Sequence, residues 1–232
     1  MYNINNDYQQ IININAQTNS GSWNKPITMA FKEGSFYILC GDVKTKIKIW
    51  DQNGNYKSEL EMSIMSETYF CDTVYIDKNI FIIISGKPGI IVCDFDTKKT
   101  VKKFSTGNQN ENYICARVLK KKEKLLLLGA DKNNGILRIW DFNNINLLKE
   151  IHNNGSNNLE MFCPWNERYT LAGCSSNRIV LFDIENGSFV KYFGRSGTIY
   201  GVTKINSVKY GECLISWSDN SSEGIVIWCS NN

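Results

Sequence analysis

A chain of 232 residues, 42% hydrophobic and 21% charged, is long enough to bury one well-filled core, and its net charge of +3 is far from the strongly basic balance that makes nucleic acid a default partner. No apolar run approaches the roughly 20 residues of a membrane span, and Met1-Tyr2-Asn3-Ile4-Asn5-Asn6-Asp7 has neither the positive start nor the apolar centre of a leader peptide, so a cytoplasmic or nuclear location is expected. Eight cysteines without a Cys-x-x-Cys pair, most of them inside apolar runs, read as reduced thiols packed as small hydrophobes; no metal or other cofactor is expected.

Taken in chain order, the first β-like run is Tyr8-Gln9-Gln10-Ile11-Ile12-Asn13-Ile14, which has no hairpin partner of its own. Five similar blocks follow. Their second strands are expected at Phe36–Cys40, Ile80–Ile84, Lys124–Leu128, Arg168–Ala172 and Glu212–Trp217. Runs such as Phe81-Ile82-Ile83-Ile84 and Leu125-Leu126-Leu127-Leu128 lack alternation, as strands covered on both faces should. The third strands alternate more, with Lys46, Lys48 and Arg138 between apolar residues, and Gly89, Gly135 and Gly224 open three of them. Asn crowds the intervening turns, as in Asn153-Asn154-Gly155-Ser156-Asn157-Asn158, where its side chain bonds nearby backbone and tolerates left-handed conformations.

Each third strand ends in an aromatic or its replacement: Ile49-Trp50-Asp51, Val92-Cys93-Asp94, Ile139-Trp140-Asp141, Leu181-Phe182-Asp183 and Ile227-Trp228-Cys229. Their spacing of 42 to 47 residues is that of one four-stranded propeller blade. The expected fold is therefore an all-β propeller of about five four-stranded blades in a single domain, residues 1–232, with Tyr8–Ile14 closing the ring as the last blade's outer strand. A piece of a larger propeller is the alternative.

The Trp50-Asp51 and Trp140-Asp141 pairs, the Phe182-Asp183 variant and the period itself resemble the WD-repeat family. That family places an Asp before the third strand in a buried network with a His, a Ser or Thr and the Trp. Asp42 precedes Trp50, Asp131 precedes Trp140 and Asp219 precedes Trp228 at nearly equal spacing, whereas the repeats carrying Cys93 and Phe182 lack the Asp too. Joint presence fits a coupled polar pair, because an unpartnered buried polar group costs about 1–3 kcal/mol. The Gly-His dipeptide of the family is absent and His152 alone lies near a matching place, so the three Asp residues are expected to cap turn amides.

Catalysis is not expected. With His152 as the single histidine, a His-based triad or multi-His metal site has nothing to build on. Gly194-Arg195-Ser196-Gly197 is too short for a phosphate loop and no helix follows it. The resemblance implies a scaffold that binds protein through a loop face, and Trp23, Tyr69, Tyr113 and Arg195 are the residue types that dominate interfaces. Tyr69 and Tyr113 also suit the starts of inner strands. A different reading makes Lys98, Lys99, Lys120, Lys121, Lys122 and Lys124 one basic patch for nucleic acid or anionic lipid.

Overall fold

The computed structural model describes residues 27–41, 46–62, 64–155, 158–194, 197–219 and 224–229. Nineteen strands lie among them, and each repeat folds as its own antiparallel sheet because short connections join strands rich in Ile, Val, Leu and aromatics. The first blade holds β1 (Ile27–Lys32), β2 (Ser35–Gly41), β3 (Lys46–Asp51) and β4 (Tyr56–Glu61); the second holds β5 (Glu67–Ile76), β6 (Asn79–Lys87), β7 (Gly89–Asp94) and β8 (Thr100–Phe104). The third comprises β9 (Tyr113–Lys121), β10 (Lys124–Asp131), β11 (Ile136–Asp141) and β12 (Leu147–His152), and the fourth β13 (Leu159–Pro164), β14 (Tyr169–Cys174), β15 (Arg178–Asp183) and β16 (Ser188–Gly194). The fifth has β17 (Ile199–Ser207), β18 (Gly211–Ser218) and β19 (Ile225–Cys229), three strands among the described residues. The all-β, five-bladed propeller expected from the period is the fold found. Tyr8–Ile14, the expected closing strand, lies outside the described residues.

The first strands of successive blades pack side by side, β1 on β5, β5 on β9, β9 on β13 and β13 on β17. The apolar side chains accordingly gather at the seams between blades. Leu39, Ile47 and Ile49 meet Ile82, Ile84 and Ile91 at the first seam, and Ile83, Ile90 and Phe104 meet Leu127 and Trp140 at the second. Leu128, Leu137 and Ile151 meet Leu159, Phe162 and Val180 at the third, while Leu171 and Ile179 meet Ile199, Val202 and Leu214 at the fourth. Ile82, Ile83, Ile84, Leu127 and Leu128 are buried although they point alternately to both faces of their sheets, which is why those runs do not alternate in sequence.

Each outer strand turns one apolar residue toward the next seam. Leu60 pairs with Ile47, Phe104 with Ile90 and Ile151 with Leu137, and all three are buried. Their counterpart in the fourth blade, Phe193, pairs with Ile179 and is only half-buried.

Cys71, Cys93, Cys115 and Cys174 are buried thiols. Burial pushes all four up, Cys115 to about 11 and Cys174 to about 12, so they pack as neutral hydrophobes as expected. Cys213 and Cys229 correct the reading of eight free thiols. The register of β18 and β19 sets them opposite each other with 4.5 Å between Cα atoms, and they form a disulfide.

Candidate interaction surface

The Asp that follows each third strand makes the same turn four times. Asp51 Oδ1 accepts from the amides of Asn53 and Asn55, both at 2.9 Å, and Asp94 Oδ1 from those of Asp96 at 3.1 Å and Thr97 at 2.7 Å. Asp141 Oδ1 accepts from Asn143 at 2.8 Å and Asn144 at 2.9 Å, and Asp183 Oδ1 from Glu185 at 2.9 Å and Asn186 at 3.0 Å. Donors aimed at a charged oxygen hold the carboxyls below their ordinary range, led by the Asn55 amide for Asp51, the Thr97 amide for Asp94, the Asn144 amide for Asp141 and the Arg168 side chain for Asp183. These Asp side chains fix the hairpins between third and outer strands, so their role is structural.

The Asp residues before the third strands behave differently. Asp131, expected to cap turn amides, instead accepts through Oδ2 from Asn134 Nδ2 at 2.8 Å and from Arg138 Nη1 at 2.7 Å. Arg138 projects from β11 into the blade, where its buried cation draws Asp131, Glu150 (2.6 Å), Glu111 (3.8 Å) and the Tyr113 hydroxyl (2.9 Å) around it. Burial opposes the charge, but hydrogen bonds to Glu150 and Asp131 outweigh it and raise the guanidinium's pKa. Asp219 accepts from the Thr198 amide at 2.8 Å. The three third-strand Trp residues are packing groups: Trp50 and Trp140 are buried, with Trp140 edge-on to Tyr113 and Phe104, and Trp228 donates its Nε1–H to Ser216 Oγ at 2.9 Å. Asp42 lies outside the described residues.

Of the four sequence-derived binding residues, the structure describes Tyr69 and Tyr113. Trp23 and Arg195 lie outside the described residues. Tyr113 starts β9 but is fully buried, because its hydroxyl serves Arg138 and its ring packs on Trp140, so it is no surface residue. Tyr69 is half-buried in β5 and donates to Glu67 Oε2; burial pushes its hydroxyl up to about 12.

The ion pairs around the two lysine runs lead to different blades. The turn holding Lys98 and Lys99 faces the first blade, where Lys32 pairs with Asp96 at 2.5 Å. Lys98 folds back to donate to the Phe95 carbonyl, 4.0 Å over that ring, and burial lowers its pKa. Lys121 reaches the other way, to Glu185 of the fourth blade at 3.6 Å, while Lys99, Lys120, Lys122 and Lys124 stay in solvent. In both cases the turn between first and second strands sits beside the following blade's outer turn, which supplies the acid.

What the structure does build is a wedge of about 810 Å³ on the rim between the fourth and fifth blades. Leu181 and Phe193 form one wall, Leu214 and Trp228 the other, and Trp165 and Tyr210 stand at its mouth. Lys204 lies 5.5 Å over the Trp165 ring, donating to the Trp165 carbonyl at 2.9 Å and to Glu212 at 2.8 Å, and so ties the fourth blade to the fifth beside the wedge. Beside the wedge runs β19, the outermost strand of its sheet among the described residues. Trp165 and Phe193 belong to the fourth repeat and Tyr210 and Trp228 to the fifth, so sequence reasoning, which took each repeat by itself, passed over their meeting.

Among the described residues no group of three or more His, Cys, Asp and Glu side chains is placed to hold a metal, and no helix is long and apolar enough to cross a membrane. No family model matches the chain, and no curated protein matches its sequence. Among solved structures it is similar to the WD40 beta propeller domain of Doa1, with a TM-score of 0.66 at 14% identity. That match covers 88% of this chain and 63% of the other, so the chain spans under two thirds of the length of the structure it resembles. The likeness establishes a WD40-type propeller fold.

Proposed function

We propose that the chain is a non-catalytic protein-interaction scaffold that receives an extended apolar segment of a protein partner in the rim wedge, along the edge of β19. One observation carries this reading: Leu60, Phe104 and Ile151 are sealed at their seams, while Phe193, in the same position, is half-bare. An added strand would pair its backbone with β19 and seat alternate side chains between Phe193 and Trp228, with backbone bonds giving affinity and the pocket giving selectivity. Trp and Tyr at the mouth are the residue types that dominate binding energy.

Affinity capture from the native cell tests it, with the full chain, Trp228→Ala and a Lys120→Glu/Lys121→Glu/Lys122→Glu triple variant as bait. Trp228→Ala is expected to lose the partner and the triple variant to keep it, whereas the reverse pattern would sink the wedge in favour of a charged site. Because the sequence also points Tyr8–Ile14 at this edge, a bait lacking residues 1–14 is included, and its capture is expected to equal or exceed that of the full chain.

A further inference from the structure

We infer that the Cys213–Cys229 disulfide is a redox-operated clip: oxidised, it fastens β19 to the fifth blade, and reduced by a thiol of the glutathione class, it lets that strand come away. The pair is particular to this blade. In the first four blades the matching place on the third strand holds the hairpin-capping Asp, with Asp51 across from Tyr37, Asp94 from Phe81, Asp141 from Leu126 and Asp183 from Tyr169. In the fifth, both members of that register pair are Cys. Side chains of an antiparallel pair whose Cα atoms stand 4.5 Å apart meet directly, so this blade exchanges a turn cap for a covalent bond between strands.

The strand it fastens has little else to hold it. Among the other third strands, β3, β7, β11 and β15 each bury three or more residues and lie between two neighbours. No residue of β19 is buried, and among the described residues it pairs with β18 alone. A ladder of five pairs on one side, joined by the Trp228 Nε1–H bond to Ser216, is all that remains once the disulfide opens, and a two-stranded edge of that kind is marginal in water.

Access is equally one-sided. Cys213 is fully buried, whereas Cys229 is half-buried and lines the rim wedge, so an incoming thiolate reaches the Cys229 sulfur. Its attack forms a mixed disulfide at Cys229 as the bond to Cys213 breaks, and Cys213 Sγ takes a proton from solvent. A second thiol then bonds to the first and releases Cys229, which is protonated in turn, so that two electrons and two protons have passed to the protein and the two small thiols leave as their disulfide. With β19 away from β18, the protein thiols lose the high effective concentration that protects a disulfide inside a core. A glutathione-class couple can therefore drive the pair in both directions. For the wedge, and resting there on the scaffold reading, release of β19 takes Trp228 out of one wall.

Native-state hydrogen exchange tests the clip, using the purified full chain equilibrated with glutathione disulfide or with reduced glutathione, each sample also being alkylated and read by mass at every cysteine. Reduced glutathione is expected to expose both Cys213 and Cys229 to alkylation and to speed exchange of the Ile225–Cys229 amides by about tenfold or more, with β9–β11 unchanged. Cys229→Ser is expected to show the fast β19 exchange in both buffers, and the two redox forms of the parent carry the same comparison if that variant folds poorly.

A pair that reduced glutathione cannot open, or that glutathione disulfide cannot close, is no switch. A β19 that stays slow after reduction is held by another part of the molecule, and alkylation of the buried Cys115 and Cys174 alongside the pair would mean that the whole molecule opens instead of one strand. Each of these outcomes overturns the inference. No partner enters the measurement, so failure of the scaffold reading would show only in the capture experiment.

Discussion

Arg138 is the residue on which the third blade depends most heavily for electrostatic balance. Its side chain is 7% exposed, and Asp131 and Glu111, both fully buried, have no other cation within salt-bridge reach among the described residues. Arg138→Leu leaves those carboxylates in a medium that cannot solvate them, and a loss of about 3–5 kcal/mol is expected, read from the midpoint of urea unfolding. Arg138→Lys is expected to recover only part of it, because a single ammonium cannot bridge Asp131, Glu150 and Tyr113 together as a guanidinium fork does. The hairpin-capping Asp residues act with pH. Asp51, Asp94, Asp141 and Asp183 are held below the ordinary carboxylate range, so each contributes stability that is complete above the unfolded value of about 3.9 and is lost as pH falls through the lower folded value. Tm is therefore expected to drop on acidification below about pH 4, with a shallower drop in Asp141→Asn; a Tm that stays flat between pH 5 and 2 would contradict the capping role.

Seam spacing at the level of strands depends on small residues in the second strands. A Cβ on Gly173 of β14 would fall against the carbonyl oxygen of Ile199 in β17, and backbone cannot move aside as a side chain can. Gly173→Ala is expected to part the fourth and fifth blades at a cost of about 1–3 kcal/mol. Gly194→Ala, at a site with nothing within 4 Å, is expected to stay within about 0.5 kcal/mol of the parent in the same unfolding assay. Elements of this kind were largely legible beforehand. The second strands expected at Phe36–Cys40, Ile80–Ile84 and Glu212–Trp217 are β2, β6 and β18 within one to three residues, because an apolar run covered on both sides carries its own signature. The wedge was not legible: Trp165 and Phe193 of the fourth repeat meet Trp228 of the fifth, and only three-dimensional stacking joins them. Ion pairs between blades were not legible for a related reason, since Lys32 and Lys121 each meet an acid, Asp96 or Glu185, that sits on the following blade.

A row of equivalent sheets in which each shields its neighbours implies a graded stability across the molecule. The third blade is covered on both sides, with Tyr113, Cys115, Leu127, Leu128 and Trp140 all essentially buried. Among the described residues the first and fifth are covered on one side, and Ile27, Met29 and Phe31 of the first and Ile225 and Ile227 of the fifth are exposed. In a chain of nearest-neighbour interfaces, opening an end unit breaks one interface and opening a middle unit breaks two, and local unfolding follows the cheaper route. Native-state hydrogen exchange is therefore expected to release the amides of β1–β3 and β17–β19 first and those of β9–β11 last, the difference growing as denaturant is added. Uniform exchange across all five blades would mean that the molecule opens as one unit, and the end faces would then be no weaker than the seams.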